Sequence, residues 1–201
     1  MASHYLPEQL EFIKHDALIV VDMQNDFFDD GSLPVPGIKK IVPRMNEYLR
    51  RFAALDLPVF ATRCWHPPGH CSFVAHGGQW PQHCVAGTRG AEFHPDLKLP
   101  LGCPVISKGH LIDRDAYSAF AGTELDPLLR EKGVRRVFVA GVATDYCVKH
   151  TVIDVQKHNL PAFVLVDAIA AVNQQPDDAA RALKEMRQAG AVMINIESVV
   201  S

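Results

Sequence analysis

The chain has 201 residues, 48% of them hydrophobic and 21% charged, with a formal net charge of −3. That is enough chain to bury a real core, and the whole of it, 1–201, reads as a single domain with residues 1–15 as an N-terminal arm. The small charge and the lack of a Lys/Arg stripe exclude nucleic acid as the expected partner. No segment approaches the roughly 18–20 consecutive apolar residues of a membrane span, and the N-terminus does not read as a signal peptide.

In chain order, Ala17-Leu18-Ile19-Val20-Val21 is a continuous apolar run of the kind that forms a central strand covered on both faces. Ile38, Ile41, Met45, Tyr48, Leu49 and Phe52 then recur at helical spacing. Pro36 and Gly37 mark the entry, and Pro43 is expected to limit how early regular helix begins. Residues 59–62, 104–107, 137–140, 163–166 and 192–195 are further strand candidates. Helices are expected near 123–132, 145–158 and 177–189, with Gly133 and Gly190 where left-handed caps fall. The alternation predicts an α/β sandwich with a parallel sheet. Residues 64–103 lack periodicity and are rich in His, Pro, Gly and Cys; a loop that long in a compact domain is usually functional.

In parallel α/β sheets, ligands bind outside the carboxyl ends of the strands. Asp22 follows the first strand, Lys108 the third, and Gly141-Val142-Ala143-Thr144-Asp145-Tyr146-Cys147 follows the fourth and opens a helix. Cys147 is expected in the first helical turn, with Thr144 or Asp145 as N-cap. A helix N-terminus and a nearby Lys108 are expected to favour its thiolate, the nucleophilic form. Asp22 is the candidate proton shuttle, and free backbone N–H groups at the turn are candidates to hold an oxyanion. Taken singly, a Cys at a helix start, an Asp after a strand and a Lys at a strand end are each more often structural. Five cysteines, an odd number with no CxxC pair, argue against a disulfide scaffold and for a reducing, cytoplasmic setting.

Five segments then carry a resemblance. Val20-Val21-Asp22-Met23-Gln24-Asn25-Asp26-Phe27, Lys108-Gly109 with Tyr117-Ser118-Ala119-Phe120, and Gly141 to Val148 resemble, in order, three signatures of the isochorismatase-like cysteine hydrolases. Trp65-His66-Pro67-Pro68-Gly69-His70 and Trp80-Pro81-Gln82-His83-Cys84 resemble the loop motifs of the nicotinamidase/pyrazinamidase branch. The resemblance implies a three-layer α/β/α sandwich on a six-stranded parallel sheet in the order 3-2-1-4-5-6. It implies a catalytic set of Asp22, Lys108 and Cys147, a thioester on Cys147, and nicotinamide hydrolysed to nicotinate and ammonia, as in NAD salvage. It further implies a cis Val142–Ala143 peptide, with the Ala143 and Cys147 N–H groups toward the oxyanion and Phe27, Trp80, Tyr117 and Val142 around the substrate ring.

Relatives hold a divalent metal with an Asp-x-His pair and a later His. Here the pair reads Cys64-Trp65-His66, the later residue is His83, and His70 matches a histidine that ligates in some members. Residues i and i+2 on an extended strand share a face. A Cys64/His66/His83 set is therefore the expected metal site, and its thiolate favours zinc; the alternative is that Cys64 is a buried, inert thiol. Two other functions stay open: a metal-independent amide or carbamoyl-amide hydrolase of the same superfamily, and a non-catalytic binding protein on this fold. Relatives also suggest a homo-oligomer. No G-x-S-x-G elbow, G-x-G-x-x-G or P-loop occurs, so serine-hydrolase and nucleotide chemistry are not indicated.

Overall fold

The computed structural model describes residues 10–200. Six parallel strands form the sheet: β1 (Asp16–Val21), β2 (Val59–Cys64), β3 (Val105–Lys108), β4 (Arg136–Val142), β5 (Ala162–Ala170) and β6 (Val192–Ile194). Their spatial order is β3-β2-β1-β4-β5-β6, so the chain reverses its direction of travel between β1 and β4. Each apolar run of the sequence became a strand, and most grew by one to four residues at their carboxyl ends. The N-terminal arm falls partly outside the described residues; its Leu10–Glu11 segment pairs in parallel with Val199–Val200.

Every residue of β1 is buried. Leu18 and Val20 point to one face with Phe138 and Ala140 of β4 and the apolar stripe of α1 (Ile38–Ala54). Ala17, Ile19 and Val21 point to the other face with Leu125 and Leu129 of α2 (Leu125–Glu131), Val152 and Val155 of α3 (Lys149–Lys157), and Met186 of α4 (Asp178–Gln188). The result is three layers, one helix against one face of the sheet and three against the other. That double coverage is why β1 reads as unbroken hydrophobicity rather than alternation.

Two helix expectations needed correction. Pro43 lies inside α1, which starts at Ile38 regardless. Its ring is on the solvent face, and the Lys39 carbonyl that loses its donor belongs to an exposed residue, so the missing bond leaves no buried group unpaired. The segment after β4 opens with a wide π-type turn over Thr144–Val148, capped by Ala143 rather than by Thr144 or Asp145. Asp145 instead accepts backbone N–H bonds from Val172 (3.0 Å) and Asn173 (2.8 Å), tying the nucleophile turn to the segment after β5. Gly133 and Gly190 have the left-handed φ expected of helix caps.

Gly141 marks the tightest point between β1 and β4. Its φ is +116°, and a Cβ there would lie 2.1 Å from the Val21 carbonyl oxygen. Both the backbone conformation and the space require glycine, and the contact is with backbone that cannot swing aside. Gly141→Ala is expected to lower stability by about 3 kcal/mol, measured by urea unfolding; a loss under a few tenths would mean that β1 and β4 separate easily.

Candidate active site

The site lies at the carboxyl end of the sheet, beside the reversal between β1 and β4. β1 ends at Val21, and Asp22 then takes a left-handed φ of 52°, which closes a tight Asp22–Gln24 turn. Cys64 and Lys108, the last residues of β2 and β3, are partners in register. Cys147 comes from the π-type turn. Sheet register and one helix turn thus gather four chemical side chains from four chain segments.

Lys108 is their centre. Its Nζ lies 2.7 Å from Asp22 Oδ2, 2.9 Å from Cys64 Sγ and 3.3 Å from Cys147 Sγ, and both charged side chains are wholly buried. Thr62 donates its hydroxyl to Asp22 Oδ1 at 2.7 Å. Gln24 clamps the end of β2, donating to the carbonyls of Cys64 and Ala91 and accepting the Cys64 N–H. The Val142–Ala143 peptide is cis. The Ala143 N–H has no backbone or side-chain acceptor among the described residues.

Burial raises the Asp22 carboxyl to about 6; the neighbouring Cys64 adds to the rise, and Lys108 and Thr62 only partly oppose it. Lys108 is held well above its ordinary value: burial pulls it down, but the charges of Asp22, Cys147 and Cys64 outweigh that. The thiols move apart. Cys64 is lowered, first because it accepts from Cys147 and then through Lys108; Cys147 is raised, first by the same contact and then by burial. The contact with Cys64 and burial thus push the Cys147 thiol up, while Lys108 at 3.3 Å pulls it down, as expected of a thiolate-favouring neighbour.

Phe27, Trp80, Tyr117 and Tyr146 wall a cleft above Cys147 that encloses about 450 Å³, part of it open to solvent. Trp80 Nε1 donates to the Tyr117 hydroxyl at 3.0 Å, and the Trp80 and Tyr146 rings meet edge to face at 4.9 Å. Trp80 is anchored through its backbone to Ser72 and Val74, so the long 64–103 loop forms one wall. Val142 does not line the cleft: its side chain is in the core behind it. Tyr146, Thr62 and Gln24 were not singled out from the sequence. Thr62 could have been found, because its neighbour in register is Val21, one residue before Asp22.

His66 and His83 also line the cleft, with ring centroids 5.0 Å apart. Each Nδ1 sits 2.8 Å from a backbone carbonyl, of Gly109 and Pro81 respectively, and the His66 side chain also interacts with the Cys64 thiol. Gly109 must be glycine here: its φ is +66°, and a Cβ would lie 2.5 Å from the His66 ring. His70 is spent on structure, with Nδ1 at 2.7 Å from Ser72 Oγ and Nε2 at 3.2 Å from the Arg114 carbonyl. Among the described residues, the one group of potential ligand atoms all within 4.8 Å of each other is Asp22, Cys64 and Cys147. Lys108 already contacts all three, so an ammonium fills the place a metal would take. The Cys64 side chain interacts with His66 as well as with Lys108, yet Cys64, His66 and His83 together do not form such a group.

A parallel α/β sandwich with a buried acid, amine and thiol under an aromatic cleft is the frame of a cysteine hydrolase. The Isochorismatase domain matches residues 16–198, and the chain belongs to that family. It is 40% identical over 186 residues to the nicotinamidase/pyrazinamidase of Mycobacterium tuberculosis, covering 89% of this chain and 97% of that protein. Among solved structures it is similar to the pyrazinamidase of Pyrococcus horikoshii in complex with zinc, at 47% identity and a TM-score of 0.87 over 90% of this chain and 99% of the other. It is also similar to an L. infantum structure in complex with nicotinate, at 38% identity and a TM-score of 0.84, covering 93% and 96%.

Removing Lys108 leaves a buried carboxylate without its counter-charge. Lys108→Met is expected to cost about 3–5 kcal/mol at pH 7. Asp22, already raised to about 6 with Lys108 present, then rises further. A folded-state value above the unfolded one favours the folded protein at low pH, so the deficit should shrink as pH falls from 7 to 5. Urea unfolding at both pH values measures this; a deficit independent of pH would show that the lost lysine acts through packing rather than charge.

Proposed function

We propose that this protein is an amidohydrolase that converts nicotinamide to nicotinate and ammonia, in the service of NAD salvage, and that the chain acts as one hydrolase domain. The observation that carries the reading is Lys108 Nζ within 3.3 Å of Asp22, Cys64 and Cys147 at the foot of an aromatic cleft. The nicotinamidase/pyrazinamidase relative and the nicotinate-bound structure supply the substrate class.

The geometry suggests the order of steps. The ring lies between Phe27, Trp80, Tyr117 and Tyr146, placing the carboxamide carbon over Cys147. Asp22, near 6, is ionised at neutral pH and accepts the Cys147 proton as sulfur attacks. The tetrahedral oxyanion takes the N–H groups of Ala143 and Cys147. Asp22 returns its proton to the departing nitrogen, and ammonia leaves a nicotinoyl thioester. A water then gives its proton to Asp22 and attacks the thioester, releasing nicotinate and regenerating the thiol. Lys108 keeps its charge throughout and steadies each anion beside it. The contact with Cys64 and burial hold the Cys147 thiol above its ordinary value, so Asp22 serves the first step as well as the later ones.

A divalent metal fits the cleft at His66 and His83. Nδ1 of each is fixed by a backbone carbonyl, the usual way a ligating imidazole is oriented. Cys64, which already interacts with His66, would join them at the expense of its contact with Lys108. Zinc suits such nitrogen and sulfur donors, and a zinc complex is known for the P. horikoshii relative. When bound, the metal would supply a Lewis acid to anchor the ring nitrogen. The five unpaired cysteines support a reducing compartment such as the cytoplasm. No helix among the described residues is long and apolar enough to cross a membrane.

Ammonia release from nicotinamide by the purified protein is the direct test. Cys147→Ala is expected to abolish it, with the circular dichroism spectrum unchanged; release that persists would remove Cys147 from the mechanism. On the acid side kcat/KM should fall about tenfold per pH unit below about 6, where Asp22 gains its proton. A limb near 4 would assign the base to another group. His66→Ala and His83→Ala should each lower bound divalent metal as read by elemental analysis, and unchanged content would contradict the metal assignment.

A further inference from the structure

The Cys64 thiol is a second sulfur inside the reaction centre, and the proposed hydrolysis gives it no step. Its Sγ and that of Cys147 lie within 4.8 Å of each other, and both contact the same Lys108 ammonium. Both residues line the cleft, so a small solute that reaches one reaches the other. Asp22, the base beside Cys147, also lies 3.6 Å from Cys64 Sγ. A nucleophilic thiol, a neighbouring thiol and a shared proton acceptor are the parts of a site that closes a disulfide.

We propose that Cys64 and Cys147 form a reversible, peroxide-driven modification site that switches the enzyme off. In the first step the Cys147 sulfur attacks one oxygen of hydrogen peroxide or an alkyl hydroperoxide. The O–O bond breaks, Asp22 takes the thiol proton and passes it to the departing oxygen, and water or an alcohol leaves. Cys147 is then a sulfenic acid, oxidised by two electrons, and the peroxide is reduced by two. In the second step Cys64 sulfur attacks that sulfenic sulfur. The S–O bond breaks, the Cys64 proton goes to the hydroxyl, a second water leaves, and a Cys64–Cys147 bond forms. Forming the bond brings sulfurs that lie within 4.8 Å of each other to about 2.05 Å. A dithiol reductant reverses the reaction and restores both thiols.

The device has a protective side. Without a resolving partner, a sulfenic acid proceeds to sulfinic acid, which thiols do not reduce. Cys64 diverts Cys147 from that end. Cys84 is also buried but does not line the cleft, so a solute that reaches Cys64 and Cys147 does not reach it. Loss of turnover rests on the proposed role of Cys147, whereas bond formation does not depend on any substrate.

The experiment exposes the wild-type protein as purified to hydrogen peroxide, blocks remaining thiols with iodoacetamide, and maps the peptides without reduction. A Cys64–Cys147 linked peptide is expected, with the intact chain lighter by two hydrogens. Ammonia release should fall in proportion to the linked fraction and return with dithiothreitol. In Cys64→Ala, peroxide should still modify Cys147, but as sulfinic acid that dithiothreitol does not recover. The proposal is overturned if wild-type Cys147 is found as sulfinic acid while Cys64 is still alkylated, or linked to Cys84 instead. Should Cys64→Ala fail to fold, the wild-type peptide map decides alone. Should no amide be hydrolysed, the same map still answers for the disulfide while the proposed function fails separately.

Discussion

A lysine ammonium with no access to water has to be surrounded by groups that accept its protons and balance its charge, and here those groups are the reactive ones. Lys108 is held by Asp22, Cys64 and Cys147 at 2.7–3.3 Å. Removing a charge from such a cluster is costly because its partner stays behind unpaired. The arrangement also sets the proton inventory. Burial lifts Asp22 into the range where a base works near neutrality, and the contact with Cys64 and burial push the Cys147 thiol up. Thr62 and Gln24 are positioning residues in this picture: one fixes a carboxylate oxygen, the other fixes the end of the strand that carries Cys64.

The sheet makes this cluster possible without long-range adjustment. β1, β2 and β3 end at similar heights because they are paired in register, Val21 with Thr62 and Cys64 with Lys108. The close approach of β1 to β4 at Gly141 brings the Cys147 turn against Asp22. The irregular 64–103 loop then covers the cluster with Trp80, His66 and His83, so water is limited where the charges sit. A scaffold buried on both faces supplies precision, and a loop supplies the shape of the cleft.

Much of this was legible in the sequence. Double coverage makes strands such as Ala17–Val21 read as continuous apolar runs, and the rule that ligands bind at carboxyl strand ends singled out Asp22, Lys108 and Cys147 before any coordinates. Composition and spacing were less informative where the outcome depends on which way a side chain turns. The i, i+2 relation of Cys64 and His66 puts them on one side of an extended segment, but it does not say that Lys108 in the adjacent strand will claim the sulfur. Val142 lies in a motif that borders the substrate in relatives, yet here its side chain packs into the core. A helix N-terminus acts on Cys147 through local structure, whereas Cys64, distant in sequence, and burial push its thiol the other way only in the folded chain. Asp145 reads as a helix cap and instead braces another loop, because Val172 and Asn173 come within reach only in the folded chain.

The central claim is that Cys147 carries the acyl group of a nicotinamide-derived thioester. Acid quenching during steady-state turnover of nicotinamide, followed by intact mass and peptide mapping, tests it most directly. A nicotinoyl group is expected on the peptide containing Cys147 and none on the one containing Cys64. An adduct on Cys64, or rapid ammonia release with no acyl-enzyme under conditions that trap thioesters, would contradict it.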